Sequence, residues 1–540
     1  LSLGLIVPYI SAIFEINHMV TNFYFLDIEN YNSDQIILYL TIILITLFFL
    51  KTLLSIFTRW LISLFAYRQY AILQTKLMSA YQKMNYQDYI QRPSSEYIRN
   101  IRELCGECMT NIDANLRVLR EFIIFLSIII FLGVVNFEIL LFIILATLPI
   151  FLVYEKILKP INIKLGKIKI LSLKQIYKSI DAGIKGLKEV RVLTKQNFFL
   201  EKISYFANEV YKTQRTSVLI SDSPRYVFEF FIVSFSLCVF FYLNTKSSDF
   251  KMYLPSLGIF LLATLRLLPT LASITTNLSR IGYGQFAVEK VYEDLEKYSN
   301  YSENFFENKE LQDRDFESLE MKSVSFTYKN SNQEVFNNIN FNLKKNECIG
   351  IIGESGSGKT TFVDVMLGLL QPSKGKIHLN NIQQTNFSSS LIRKIAYLPQ
   401  EPIILDEKIK TNISLDTKEN LINQNKIEEA LKRSNLKEFV KNLPNKEDTY
   451  IGEGGVRLSG GQNKRLALAR SFYHGKNIII MDEATSSLDI ETENYIADQI
   501  KELKGRVTII IISHHNNILK YCDKVYKIQN KKIELFNNKI

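Results

Sequence analysis

Gly353-Glu354-Ser355-Gly356-Ser357-Gly358-Lys359-Thr360, GESGSGKT, lies between a β-branched run, Glu347–Ile352, and a helix that opens at Lys359. Glycines at these spacings let successive backbone N–H groups turn inward around a phosphate chain. Lys359 reaches the terminal phosphates, Thr360 offers a hydroxyl to Mg²⁺, and Thr361 completes the start of the helix, whose dipole adds to the attraction. The octet therefore predicts a strand–loop–helix nucleotide site, with ATP and Mg²⁺ as its ligands.

Downstream, Asn477–Met481 reads as a buried strand and ends in Asp482, which fits a metal-holding acid. Glu483 follows directly and could orient and deprotonate an attacking water. Taken alone, an acid pair after a strand is equally often a helix N-terminus. Its place behind the phosphate loop favours catalysis.

Between these two stretches stands LSGGQ, Leu458-Ser459-Gly460-Gly461-Gln462, before helical alternation over Arg465–Tyr473. Here the chain resembles the ABC transporter family, whose signature this pentapeptide is, and its two-part order resembles that of half-exporters. The resemblance implies roles that spacing does not. Tyr328 would stack on adenine, and Gln400 would sense Mg²⁺ and the membrane domain. Ser487–Asp489 would cross a dimer interface, and GEGG at Gly452–Gly455 would act as an exporter coupling loop. His514 would hold the γ-phosphate, although His515 beside it leaves open which imidazole does so. Asn463 and His515 depart from the basic residues usual after the signature and the switch histidine.

Ser459 and the glycines offer N–H groups and a helix dipole to a γ-phosphate, which in this family belongs to a partner's ATP. One nucleotide domain per chain thus implies a dimer. Intact Glu483, His514 and LSGGQ suit a homodimer, with a heterodimer as the other possibility.

The 540 residues suffice for two or three domains. Ile36–Leu50 is uncharged, Lys51 interrupts, and Thr52–Thr58 continues the run. Phe122–Phe137, Ile139–Tyr154, Val227–Asn244 and Tyr253–Ser279 follow, with a turn expected at Asn136 and Glu138. With Leu1–Ile13, read as the remainder of a truncated first helix, they make six spans. The expected fold class is thus an α-helical transmembrane domain plus an α/β P-loop nucleotide-binding domain. Residues 1–297 form the first, 298–315 a linker, and 316–540 the second.

Four acids and no Lys or Arg lie between Glu15 and Asp34, whereas Lys156–Asp222 carries fourteen basic residues against five acids. The bias puts the long loops and the nucleotide domain in the cytoplasm, with the chain multi-pass in the cytoplasmic (inner) membrane. Apolar residues at helical spacing predict loops that are helices, turning near Tyr89–Tyr97 and Ile184–Leu193, where the tips would meet the soluble domain. The net charge of +11 collects in loops flanking apolar segments, so no nucleic-acid partner is expected. Five cysteines give no disulfide framework, and Cys105 and Cys108 read as reduced thiols on a polar helical stretch.

Basic residues inside spans tend to mark a substrate path. Lys51 and Arg266 lie about 20 Å from the outer ends of their spans, and Arg225 sits at the inner end of its own. They suit an anionic headgroup drawn from membrane lipid, or equally cations that snorkel to the inner interface. LSLGLIVPYI (residues 1–10), TLRLLPTLASI (264–274) and PRYVFE (224–229) are similar to bacterial flippases of lipid-linked oligosaccharides used in protein glycosylation. In that group such cations are held to serve the lipid pyrophosphate. An exporter of peptides, drugs or other lipids is the alternative.

Overall fold

The computed structural model describes residues 33–135, 137–246, 254–299, 315–329, 331–384, 394–416, 418–452, 455–483, 490–513 and 516–536. Two compact units emerge, Leu1–Met84 with Ile90–Asn300, and Asn85–Tyr89 with Tyr301–Ile540.

In the first unit α1 spans Ser33–Lys83 without a break at Lys51. Its apolar residues run all round the helix, and Thr41–Lys83 is the one described helix long and apolar enough to cross a membrane by length and composition. Thr46, Thr52 and Ser55 donate to carbonyls one turn earlier, which keeps their hydroxyls satisfied in apolar surroundings. After α2 (Tyr86–Tyr89), which groups with the second unit, α3 (Ser94–Arg99) starts behind Pro93 and runs through a π turn into α4, Cys105–Val135. Glu138 is helical, in α5 (Phe137–Val153), rather than part of a turn; Asn136 lies outside the described residues, as does Leu1–Ile13. A second π turn, Tyr154–Leu158, leads into α6 (Lys159–Lys185). Gly186 ends α6, and α7 (Leu187–Val192) turns the chain into α8, Gln196–Lys246. The expected loop turns are thus short helices at 86–99 and 187–192.

Helix α9, Leu254–Ser299, extends past the residue at which the linker was expected to begin, and Tyr298 is fully buried. Residues 300–314 of that linker lie outside the described set. The stretch around Cys105 and Cys108 is not simply polar either. Both thiols are free but buried, among Leu77, Tyr97, Leu104 and Ile170.

The second unit is built on two main sheets, with a two-stranded antiparallel ribbon of β7 (Glu407–Lys408) and β8 (Tyr450–Ile451) beside them. Strands β1 (Ser318–Thr327), β2 (Glu334–Lys344), β4 (Lys374–Leu379) and β5 (Ile382–Gln383) form an antiparallel sheet ordered β2-β1-β4-β5. The other runs β12-β11-β3-β10-β9-β6, with β3 (Cys348–Gly353), β6 (Ile395–Leu398), β9 (Ile478–Asp482), β10 (Thr508–Ile512) and β11 (Lys524–Gln529) parallel. Only β12 (Lys532–Leu535) is antiparallel there. Every residue of β9 and β10 is buried, as expected of parallel strands covered on both faces. Strands β3 and β9 deliver the phosphate loop and the acid pair to the carboxyl edge of this sheet, where open α/β sheets bind ligands.

In the first unit α6 crosses α9 at Gly166, where an added Cβ would lie 1.9 Å from the Tyr283 carbonyl oxygen. Gly166→Ala should therefore destabilise that unit by about 1–3 kcal/mol. Gly106→Ala, whose Cβ meets nothing within 4 Å, should be neutral or slightly stabilising. Thermal unfolding of the purified chain in detergent would distinguish the two.

Candidate functional site

The glycines of the phosphate loop have distinct duties. Gly356 and Gly358 adopt φ of +80° and +95°, where a side chain is strained, and a Cβ on Gly358 would also strike Val335. Gly358 caps α10 (Lys359–Met366) without any side-chain acceptor, so the first N–H groups of the helix point out of it. Lys359 is buried and curls back to donate to the carbonyls of Gly353 (2.9 Å) and Glu354 (3.0 Å). The Ser357 hydroxyl is buried with no hydrogen-bond partner among the described residues. Inward amides, a cation and an orphaned hydroxyl suit an anion with several oxygens.

Asp482 ends β9 only 4% exposed. Its Oδ2 accepts from Thr360 Oγ1 (3.1 Å) and from Tyr397 Oη (3.2 Å). Burial pushes its carboxyl upward, with the two hydroxyls opposing that shift. Asp364, one turn beyond Thr360 on α10, is pushed up to about 6, first by burial and then by Asp482. Hydroxyl and carboxylate oxygens in contact form a hard donor set that fits Mg²⁺ alongside phosphate oxygens and water.

Glu483 sits at φ +47°, an uncommon conformation for this residue and one held only by its surroundings. Its N–H donates to the Ile512 carbonyl (3.0 Å), and Lys464 Nζ donates to the Glu483 carbonyl (3.1 Å). Its carboxylate accepts from Gln400 Nε2 at 2.8 Å and lies 4.0 Å from Lys359 Nζ. The structure thus gathers Lys359, Thr360, Gln400, Asp482 and Glu483. Tyr328 is half-buried beside them, its hydroxyl 2.9 Å from Thr361 Oγ1 and its ring edge-on to Phe326. Asp489, His514 and His515 lie outside the described residues. Sequence reading passed over Tyr397, Asp364 and Lys464. Only Asp364 carried a local signal, four residues after Thr360 and so on the same helix face.

The signature opens α14 (Gly460–His474) with a capping box. Ser459 Oγ accepts from the Gln462 N–H (3.2 Å), and Gln462 Oε1 accepts from the Ser459 N–H (2.8 Å). Leu458 is half-buried, Gly460 and Ser459 are exposed, and a Cβ on Gly460 would meet nothing.

The first unit holds a cavity of about 580 Å³ lined by Arg117, Arg225, Arg280, Asp222, Glu229 and Tyr226 among others. Arg117 and Arg280 also line a second cavity of about 440 Å³ with Arg59 and Asp113. Asp113 pairs with Arg117 (2.5 Å) and Arg59 (3.6 Å). Among the described residues, Arg225 and Arg280 form no ion pair. Lys51 and Arg266 border neither cavity; they lie within Coulombic reach of each other, and Lys51 rests on the Phe48 ring.

Residues 336–486 match the ABC transporter family. An ATP-dependent lipid A-core flippase of Wigglesworthia glossinidia brevipalpis is 26% identical over 71% of this chain and 64% of its own length. ABC transporter B family member 2 of Dictyostelium discoideum is 30% identical over 47% of this chain and 18% of its own. The chain thus spans less than two thirds of the length of these curated relatives. A solved bacterial Atm1-family ABC exporter with ATP bound superposes with a TM-score of 0.83 at 16% identity, over 98% of this chain and 91% of that one. The second unit therefore carries an ABC transporter ATP-binding domain, on a chain with the fold of an ABC exporter.

Proposed function

We propose that this chain is one half of an ATP-driven translocase that exports or flips an anionic amphiphile, a lipid-linked oligosaccharide in the first instance, across the cytoplasmic membrane. The observation that carries the reading is the convergence of Lys359, Thr360, Asp482 and Glu483 at the ends of β3 and β9. The loop amides and Lys359 bind the β- and γ-phosphates, and Tyr328 stacks on adenine. Bound Mg²⁺ supplies charge neutralisation on those phosphates, with Thr360, Asp482 and Gln400 to hold it. Glu483, kept in place by its backbone contacts, takes the proton of the attacking water. His514 and Asp489 belong to the same site on the resemblance alone.

Two copies complete the machine. Ser459 and Gly460 are exposed, and the capping box leaves the Gly460 N–H at the helix start unused among the described residues, which suits a phosphate held by another subunit. None of Leu187–Val192 is buried within the chain, and Val192 is 76% exposed, so this tip also has room for a second copy. A homodimer supplies two equal sites, and a heterodimer would serve the same geometry.

For the substrate, the support is the arginine cavity. Arg225 and Arg280 line 580 Å³, enough for a phosphorylated headgroup, and guanidinium is suited to phosphate oxygens. The lipid A-core flippases among the relatives agree with an anionic lipid. Asp222, Glu229 and Tyr226 on the same walls favour, as a second reading, an exported peptide or zwitterionic drug.

Glu483→Gln should bind ATP with wild-type affinity while hydrolysis falls about 10²–10⁴-fold. Unchanged turnover in a purified-protein phosphate-release assay would refute the assignment. For the cavity, ATPase activity would be titrated with polyprenyl-pyrophosphate glycans in proteoliposomes. Arg225→Ala and Arg280→Ala should each raise the half-maximal concentration about tenfold, the loss of one charge-assisted contact. Equal curves, or stimulation by peptides alone, would remove the lipid from the account.

A further inference from the structure

Five polar side chains meet in the interior of the first unit and bear no relation to either cavity. Asp294 on α9 is 4% exposed at its side chain. Its Oδ2 accepts from Tyr81 Oη at 2.6 Å and from Asn100 Nδ2 at 3.2 Å. Both of its oxygens accept from Arg92 Nη1 at 3.1 Å. Asn100 also donates to Tyr81 Oη (3.0 Å) and accepts from Arg99 Nη2 (2.7 Å), while Arg99 reaches the Ile170 carbonyl on α6 (3.4 Å). Tyr97 and Tyr298 close the cluster with edge-on rings against Tyr81.

The position of these residues in the chain gives the cluster its meaning. Tyr81 is the fourth residue before Asn85 and Arg92 the third after Tyr89, so the two flank the five residues that group with the nucleotide unit. Asp294 lies six residues before Asn300, on the helix from which the chain passes into that same unit. One buried carboxylate therefore holds both stems of the 85–89 segment and the exit helix. Pulling any one of them away would strand a charge or a hydroxyl in a dry interior, which is far costlier than moving all of them together.

We infer that Asp294 is a latch that makes the stems of segment 85–89 and helix α9 move as one block, so that displacement of the segment during the ATP cycle is delivered to α9. Asp294 touches no nucleotide and is a positioning residue. The inference rests on the ATPase reading above.

Hydrogen exchange on the full chain in proteoliposomes, nucleotide-free against trapped with ATP, Mg²⁺ and vanadate, tests it. In the wild type, trapping should slow exchange in peptides covering 353–361 and change it in peptides covering 270–299. Asp294→Asn keeps the shape of the side chain and removes its charge. It should retain the change at 353–361 and lose at least about threefold of the change at 270–299. Tyr81→Phe, which deletes one bond, should lie between, and it decides the matter should Asp294→Asn not fold. A merely structural role would raise exchange in α9 equally in both states and leave the difference between them intact; that result, or full transmission in both variants, overturns the latch. Absence of any trapping in the wild type would instead overturn the ATPase reading, and the latch with it.

Discussion

A carboxylate withdrawn from water at the end of β9 sets the terms for the nucleotide unit. Removing such a charge from solvent costs several kcal/mol unless hydrogen bonds or cations compensate. Thr360 and Tyr397 provide two hydroxyls to Asp482, one from the phosphate-loop helix and one from the neighbouring strand. The acid thus fixes α10 relative to β9 and β6, and with it the direction in which the loop amides point. Asp364 sharpens the requirement. Burial first and then Asp482 push the Asp364 carboxyl upward, and a divalent cation reverses the sign of that interaction. The same oxygens that burden the protein by themselves become favourable once they share a metal with phosphate.

From that anchor the placement of Glu483 follows. The residue after Asp482 has to leave the strand, and it does so in a left-handed turn that costs about 1–3 kcal/mol. The Ile512 and Lys464 contacts hold the backbone there, so the carboxylate meets Gln400 and Lys359. Strain in this position is tolerated because β10 and α14 brace it on either side. The buried Asp294 obeys the same rule in the helical unit: a charge in a dry place dictates which elements remain together.

What sequence could tell depended on the range of the interaction. GESGSGKT and LSGGQ were legible because a turn, a helix start and a cap are decided within a few neighbouring residues. The turns near 89–97 and 184–193 were legible from apolar spacing, and the structure adds that Pro93 precedes α3 and Gly186 ends α6. Tyr397 and Lys464 were not, because their roles arise from strand order and helix packing over some tens of residues. Charge inside apolar runs pointed to Lys51, Arg225 and Arg266, yet the arginine cavity joins Arg225 to Arg117 and Arg280, which lie in polar stretches that such a scan ignores. Three-dimensional depth, rather than hydropathy, decides which cations share a space. The end of the helical unit shows the same limit. Polar sequence near Tyr298 suggested a linker, while the aromatic ring is wholly buried against Tyr81.

The signature illustrates how a local solution can leave an external demand. A capping box already satisfies the Ser459 and Gln462 groups within α14, so helix stability alone would permit many residues at the next position. Gly460 is nevertheless glycine, although a methyl there would touch nothing among the described residues and alanine would be the better helix former. Its own fold gives no reason for the missing side chain. A close approach by something outside the chain does, and an anion meeting bare amides at a helix start is the chemistry that such an opening serves. On the proposed two-copy reading, the residue most wasteful for the subunit is thus the one through which a second subunit would be engaged.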